Sequence, residues 1–301
     1  MSKAQLVCLP LVMVTASALA DTQQDCAQQT SLDLRISACS AIIRHDKKAA
    51  WAYVNRGVAY SDGGDQDRAI ADFTTAIGIN AREVEAYAGR GIAFRRNGNC
   101  DLAIADYDRA IEIRPDDPAN YNNRGVAHHC EQDYRRAIAD YNSAIAINPR
   151  YAEPYMNRGS AYLGRGDYDR AVGDYTKAIE LKPDYMEAHY NRGTAYLENG
   201  DYEHAIPDFT TVIEFEPAHP SAYNNRAWSY FKIGKAAQGL PDAEQSLQLR
   251  PDDGPALGIR GLIYEALGRS EDAVADFRRA LTIDPNITES RDALKRLGAS
   301  P

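Results

Sequence analysis

The chain has 301 residues, of which 44% are hydrophobic and 26% charged, and its formal net charge is −9. This composition is close to that of soluble globular proteins and excludes wholesale disorder. The acidic balance, with 43 Asp and Glu against 34 Lys and Arg, argues against a nucleic-acid binder, because such proteins carry a basic patch or stripe. Tyrosine is overrepresented, with 19 Tyr beside 6 Phe and 2 Trp, which indicates a recurring position that favours it.

The first predicted element is a secretory signal peptide over residues 1–20. Lys3 precedes an apolar run from Leu6 to Ala16, and the segment ends on Ala18-Leu19-Ala20, an A-x-A cleavage pattern. The run is shorter than the roughly 20 apolar residues that span a bilayer. We therefore predict cleavage after Ala20 and a mature protein without a membrane span, secreted across the inner membrane into the bacterial periplasm.

From residue 50 the sequence repeats every 34 residues. An Asn-Arg-Gly triplet at 55–57 recurs with few changes through residue 261. Within each unit, position 15 is usually glycine, which ends a first helix, and position 32 is usually proline, which ends a second. We therefore predict seven helix–turn–helix units over residues 50–287, beginning at Ala50, Val84, Pro118, Ala152, Met186, Pro220 and Gly254.

Small and aromatic residues recur where the two helices of a unit must touch. Position 8 is glycine in six units, position 20 is mostly alanine, and position 24 is Phe or Tyr in six units. With the period and the terminal proline, this pattern resembles the tetratricopeptide repeat family over residues 50–287. The resemblance implies an all-α fold, a right-handed superhelical solenoid of helix–turn–helix repeats, with a concave groove that recognises proteins or peptides.

The segments on either side of the seven units are predicted to close the stack. Residues 21–49 fit the frame as a degenerate N-terminal repeat, and residues 288–301 as a C-terminal capping helix. In this frame Cys26 and Cys39 occupy positions that face each other between the two helices of a unit, which predicts a disulfide in an exported chain. The alternative is two buried thiols. Cys100 and Cys130 fall near the turns of neighbouring units and form a second candidate pair.

Position 7 is arginine and position 23 is aspartate in all seven units. Position 7 shares the packed side of the first helix with the glycine and the tyrosines, and a charge in a helix interface needs a partner. We therefore predict ion pairs that set the register of the repeats, against the alternative of separate solvated charges. The pairs are Arg56–Asp72, Arg90–Asp106, Arg124–Asp140, Arg158–Asp174, Arg192–Asp208, Arg226–Asp242 and Arg260–Asp276.

Position 6 lies on the opposite side of the first helix, toward the groove, and is asparagine in five units. An asparagine amide offers an acceptor and two donors, so it can hold a peptide backbone whatever the side chains are. Similar asparagine series occur in the helical repeats of the O-linked N-acetylglucosamine transferase and in armadillo proteins. The resemblance implies an extended peptide along Asn55, Asn123, Asn157, Asn191 and Asn225. The alternative is that these amides bond to neighbouring helices.

Larger side chains on the groove side would supply selectivity. They are Met156, Tyr190, Trp228 and Phe231, and exposed tryptophan and tyrosine are frequent interface anchors. The sixth unit is irregular, since Ala243 replaces the aromatic residue at position 24. For Trp228 and Phe231, an equal alternative is therefore that they fill the space which this alanine leaves.

No catalytic residues, cofactor or metal are predicted. The sequence has no glycine-rich phosphate loop with lysine and no Ser/His/Asp constellation. His128-His129-Cys130 is the single metal-like cluster, and adjacent residues of a helix point apart. The groove lysines with which related repeats hold the acidic tails of heat-shock chaperones are absent. We predict a non-catalytic scaffold for a protein or peptide partner; the alternative is a self-assembling structural scaffold of the cell envelope.

Overall fold

The computed structural model describes residues 16–27 and 31–300. These residues form seventeen α-helices and no strand, which confirms the predicted all-α fold class. In chain order the helices are α1 (Ala16–Ala27), α2 (Leu32–His45), α3 (Ala50–Asp62), α4 (Gln66–Ile79), α5 (Val84–Arg96), α6 (Cys100–Ile113), α7 (Pro118–Cys130), α8 (Tyr134–Ile147), α9 (Ala152–Gly164), α10 (Tyr168–Leu181), α11 (Met186–Glu198), α12 (Tyr202–Phe215), α13 (Pro220–Lys232), α14 (Ala236–Leu249), α15 (Gly254–Ala266), α16 (Ser270–Ile283) and α17 (Thr288–Arg296).

From α3 to α16, first helices of 13 residues alternate with second helices of 14 residues. Each first helix begins at position 1 of the 34-residue repeat. The turn inside six of these pairs contains a glycine with φ between 73° and 85°, a left-handed conformation that glycine adopts without steric cost. In the third pair Gln132 takes its place, with φ 57°.

The chain divides into two compact units, an N-terminal one that ends at Ile147 and a C-terminal one that starts at Asn148. In the N-terminal unit each helix from α1 to α8 packs against the next, and α1, α3, α5 and α7 also contact one another in sequence. The C-terminal unit repeats this arrangement from α9 to α17. Within each unit the helix pairs therefore pack as in a solenoid.

In six of the seven helix pairs from α3 to α16, the core is a glycine at position 8 facing a ring at position 24. Tyr175 is fully buried, and a Cβ atom added to Gly159 would lie 2.8 Å from its Cε1 atom. The same contact, at 2.6–2.9 Å, occurs at Gly57–Phe73, Gly91–Tyr107, Gly125–Tyr141, Gly193–Phe209 and Gly261–Phe277. The tyrosine excess therefore comes in part from these buried rings.

The sixth pair, α13 and α14, replaces both partners of that contact together. Ala227 stands at position 8 and Ala243 at position 24, and both are fully buried. Gly239 takes the place of the usual alanine at position 20, and a Cβ atom there would lie 2.8 Å from the Ala227 carbonyl oxygen. The two helices are therefore in direct backbone contact where other pairs have a ring between them.

The two ends of the described chain are helical. Cys26 on α1 and Cys39 on α2 are fully buried, and their Sγ atoms lie 2.12 Å apart. The predicted cleavage position after Ala20 falls within α1, and residues 1–15 of the predicted signal peptide lie outside the described residues. At the other end α17 packs against α15 and α16. None of the described helices combines the length and apolarity needed to cross a bilayer.

Candidate interaction surface

Each arginine at position 7 lies against the aspartate at position 23 of the same helix pair. Arg90 donates from Nε and Nη2 to the two carboxylate oxygens of Asp106, at 2.8 and 2.7 Å. The hydrogen bond to Asp106 raises the pKa of Arg90. The same pair of hydrogen bonds, at 2.6–2.9 Å, joins Arg56–Asp72, Arg124–Asp140, Arg158–Asp174, Arg192–Asp208, Arg226–Asp242 and Arg260–Asp276. All seven aspartates are buried and the arginines half-buried.

A third contact of these arginines connects one helix pair to the preceding one. Arg90 lies on α5, and its Nη1 donates to Thr74 Oγ1 on α4 at 3.0 Å. Equivalent bonds of 2.6–3.0 Å join Arg56–Ser40, Arg124–Asp108, Arg192–Thr176 and Arg226–Thr210. Sequence reasoning missed this contact. The sequence feature that could have predicted it is a polar residue sixteen positions before each arginine. The aspartate partner lies the same distance, sixteen positions, after the arginine.

The asparagines at position 6 are half-buried. Asn191 and Asn225 each reach back to the preceding first helix: Asn191 Nδ2 lies 3.9 Å from Met156 Sδ, and Asn225 Nδ2 donates to the Tyr190 hydroxyl at 3.3 Å. The structure thus brings four predicted groove residues together in the C-terminal unit. The contacts use amide donors between neighbouring helices, whereas the amide oxygens of Asn191 and Asn225 accept no hydrogen bond from any described residue.

In the N-terminal unit the asparagine series is interrupted for a steric reason. Asn55 and Asn123 form no side-chain hydrogen bond with the described residues, and Gly89 stands between them in the series. A Cβ atom at Gly89 would lie 2.5 Å from Cζ of Phe73. The ring of the preceding pair therefore occupies the space that an asparagine at this position would need.

Trp228 and Phe231 stack on each other, with ring centroids 5.5 Å apart and an interplanar angle of 26°. Their other contacts differ. Phe231 packs against a buried cluster that contains Ala243, which is the core-filling alternative. Trp228 lines an open cavity in the C-terminal unit. The two rings therefore have different roles, although the sequence offered the same two alternatives for both: Phe231 packs into the core and Trp228 lines the cavity.

In both predicted pairs the two cysteine sulfurs lie next to each other. Sγ of Cys100, at the start of α6, lies 2.02 Å from Sγ of Cys130, at the end of α7. The Cα separations, 4.8 Å for Cys26–Cys39 and 6.4 Å for Cys100–Cys130, fit the geometry of disulfides. Cys100, Cys130 and Glu131 also form the one group of three potential metal ligands among the described residues. Two of its three ligand atoms are sulfurs already in contact with each other.

The side chains of the two histidines before Cys130 lie in different surroundings. His128 is buried, with Nε2 3.7 Å from an Asp140 carboxylate oxygen. The His129 ring lies edge-on to Tyr134 at a centroid distance of 5.1 Å. Burial lowers the pKa of both imidazoles, and Asp140 partly opposes this shift at His128. The two rings therefore do not converge on a common ligand position.

Comparison with known proteins identifies the class. Models described as tetratricopeptide repeat match residues 52–83, 187–219 and 224–286, and a model described as TPR repeat matches residues 91–130, 131–164 and 159–200. The chain belongs to the tetratricopeptide repeat family. Repeat solenoids of this kind are typically non-catalytic scaffolds whose extended surfaces support protein–protein interaction. No curated protein sequence shows significant similarity to the chain.

Several solved structures share the fold. YrrB, described as a TPR protein with an unusual peptide-binding site, is 21% identical over 63% of this chain and 97% of its own, with a TM-score of 0.58. A tetratricopeptide repeat protein from Parabacteroides merdae is 23% identical over 83% and 98%, with a TM-score of 0.58. The C-terminal part of a TPR repeat-containing protein from Cytophaga hutchinsonii is 19% identical over 80% and 99%, with a TM-score of 0.64. At these identities the similarity shows the fold alone.

Proposed function

We propose that this protein is an exported, non-catalytic scaffold that binds an extended peptide segment of a partner protein along the face that the position-6 asparagines form in the C-terminal unit. The observation that carries the proposal is the state of Asn191 and Asn225. Each amide is half-buried and directs its Nδ2 to a neighbouring side chain, and each leaves its oxygen without a donor.

A bound peptide would supply what these amide oxygens lack. Both residues are only half-buried, so a peptide N–H can reach each amide oxygen and donate a hydrogen bond to it. Because the Nδ2 contacts hold the amides in place, little side-chain freedom is lost on binding. Tyr190, which is half-buried and receives the Asn225 contact, would then lie beside the peptide and select its side chains, whereas Met156 is buried in a core cluster. YrrB, a TPR protein of the same fold with a peptide-binding site, supports this mode of action.

Export is the second part of the proposal. It is supported by the charged start, apolar run and A-x-A ending of residues 1–20, and by the two adjacent cysteine pairs. Disulfides persist in oxidising compartments such as the periplasm and are rare in the cytosol. We therefore propose that Cys26–Cys39 and Cys100–Cys130 are bonded in the mature protein.

The test is a library of random capped dodecapeptides, with the affinity of selected peptides measured by fluorescence anisotropy. Replacing Asn191 and Asn225 together by alanine is expected to weaken binding about tenfold or more, since two hydrogen bonds are lost. Asn199→Ala, in an exposed turn, is the matched control and should leave affinity unchanged. Equal affinities for the wild type and the double variant, or a library without binders, would refute the peptide-binding face.

The alternative, a self-assembling scaffold of the cell envelope, is separated by sedimentation velocity at increasing concentration. A concentration-dependent series of larger species would favour assembly. A monomer throughout would favour the peptide-binding scaffold.

A further inference from the structure

A cavity of about 340 Å³ lies beside Trp228, where α17 covers the last helix pair of the C-terminal unit. Its wall is largely apolar and includes Leu197 and Leu262. Gly258 keeps it open, because a Cβ atom there would already approach Ser290 Oγ to 3.3 Å. This volume is at the lower end of ligand-binding sites, and it has room for a long side chain.

Ser290 gives the cavity an unused hydroxyl group. The residue is fully buried, and its Oγ has no hydrogen-bond partner among the described residues. Other helical hydroxyls on the first helices of this unit, such as those of Thr194 and Ser229, donate to the carbonyl four residues earlier. A buried polar group without a partner costs about 1–3 kcal/mol, so this hydroxyl marks a position for a missing donor or acceptor.

The charge around the cavity is negative. Asp284 and Glu289 line it and are exposed, and no lysine, arginine or histidine is among its lining residues. Of the basic groups nearby, Arg291 donates to the Pro285 carbonyl, and Lys232 Nζ lies over the Trp228 ring itself, 5.1 Å from its centroid.

From these features we infer that the cavity receives a lysine or arginine side chain of the bound peptide. The aliphatic stem lies against Leu262 and the indole of Trp228. The cationic group contacts the exposed carboxylates of Asp284 and Glu289. This inference rests on the proposed function, since a peptide must deliver the side chain, and it names the chemistry that the partner carries at this end of the surface.

The chain offers a direct reporter for the test. It has 2 tryptophans, so Trp51→Phe leaves Trp228 as the single indole. We would titrate this variant with capped alanine heptapeptides that carry lysine, arginine, norleucine or glutamate at the centre, and record Trp228 emission. Norleucine reproduces the lysine stem without its charge. Lysine and arginine peptides are expected to bind about tenfold more tightly than the norleucine peptide, with a smaller difference at about 0.5 M salt.

Two further variants separate the charge from general effects. Asp284→Asn with Glu289→Gln is expected to abolish the preference for lysine over norleucine. Asp169→Asn with Glu203→Gln is the matched control, because it removes two exposed carboxylates from the first turns of α10 and α12. That control should retain the preference. Equal binding of lysine and norleucine peptides, absence of any Trp228 response, or an unchanged preference in the first variant would overturn the inference.

Failure of the inference can be told from failure of the proposed function. If Asn191→Ala/Asn225→Ala loses peptide affinity while the Asp284/Glu289 variant keeps the same lysine preference as the wild type, the cavity inference fails alone. If the asparagine variant binds peptides normally while the lysine preference depends on the two carboxylates, the asparagine face fails and the cavity stands.

Discussion

Arg90 and Asp106 are joined by two parallel hydrogen bonds, from Nε at 2.8 Å and from Nη2 at 2.7 Å, between a first helix and its own second helix. The side chain of Asp106 is 7% exposed and that of Arg90 19%. Because the third donor of Arg90 reaches Thr74, one guanidinium connects α4, α5 and α6. We propose that this arrangement, repeated along each unit, sets the register of the helix pairs.

Arg90→Lys should lower the free energy of unfolding by about 2–3 kcal/mol, because lysine keeps the charge but cannot donate two parallel bonds to a buried carboxylate. Urea denaturation followed by circular dichroism measures this loss. Arg68→Lys is the control: its pair with Asp65 is exposed, and such pairs contribute about 0–1 kcal/mol. Thr74→Val should cost about 1 kcal/mol through the single bond to Arg90. Similar losses in all three variants would contradict a structural role for the ladder.

Gly159→Ala and Gly173→Ala should change stability in opposite directions. At Gly159 the new methyl group would lie 2.8–3.1 Å from three atoms of the Tyr175 ring, so we expect a loss of about 1–3 kcal/mol from overpacking. At Gly173, which is exposed within α10, no atom lies within 4 Å of the added Cβ. Alanine there should add about 0.5–1 kcal/mol, because it favours the helix over the unfolded chain. Thermal denaturation of both variants compares them directly.

Gln132→Gly should stabilise the protein. Gln132 is the one non-glycine described residue with positive φ, at 57°, in a turn where six other pairs have glycine. The left-handed conformation costs a side-chain-bearing residue about 1 kcal/mol, which exceeds the extra entropy that glycine loses on folding. Urea denaturation should show a higher midpoint for the variant. A lower midpoint would mean that the Gln132 side chain makes a stabilising contact.

Stability should fall as the pH drops below about 6.5, in part through His129. Burial holds the pKa of His129 below its ordinary value of 6.5, so the unfolded chain takes up a proton at a higher pH than the folded one. Above that value both states are neutral and the contribution is complete; it is lost as the pH falls toward the lowered pKa. His129→Gln should therefore lose less stability between about pH 7.5 and 5.5 than the wild type. An identical decline in both proteins would assign the effect to other groups.

Alkylation without reductant tests the proposed disulfides and the proposed cleavage together. If both pairs are bonded and the chain starts at Asp21, intact-mass analysis of exported protein should detect no labelled thiol. A retained leader would add one label at Cys8, since the chain has 5 cysteines. Four labels on the mature protein would show that neither pair is bonded. With reductant, all four cysteines should react.

The sequence by itself determined the features that repeat. Period, helix boundaries, the glycine and proline punctuation, and the Arg–Asp pairing within a repeat all depend on contacts between residues at a constant separation. Such contacts recur identically in every unit, so the pattern is visible along the chain. The family and the all-α fold followed from these local signals.

Tertiary structure decided what depends on neighbouring pairs and on exceptions to the pattern. Two findings could be made only from distances between different repeats. Gly89 interrupts the asparagine series because of the Phe73 ring, and Phe231 packs inward while Trp228 lines a cavity. The cavity itself exists because α17 packs on the last pair and leaves Ser290 buried without a partner. Each outcome depends on how closely backbones approach, and that distance is set by packing volumes which no single repeat encodes.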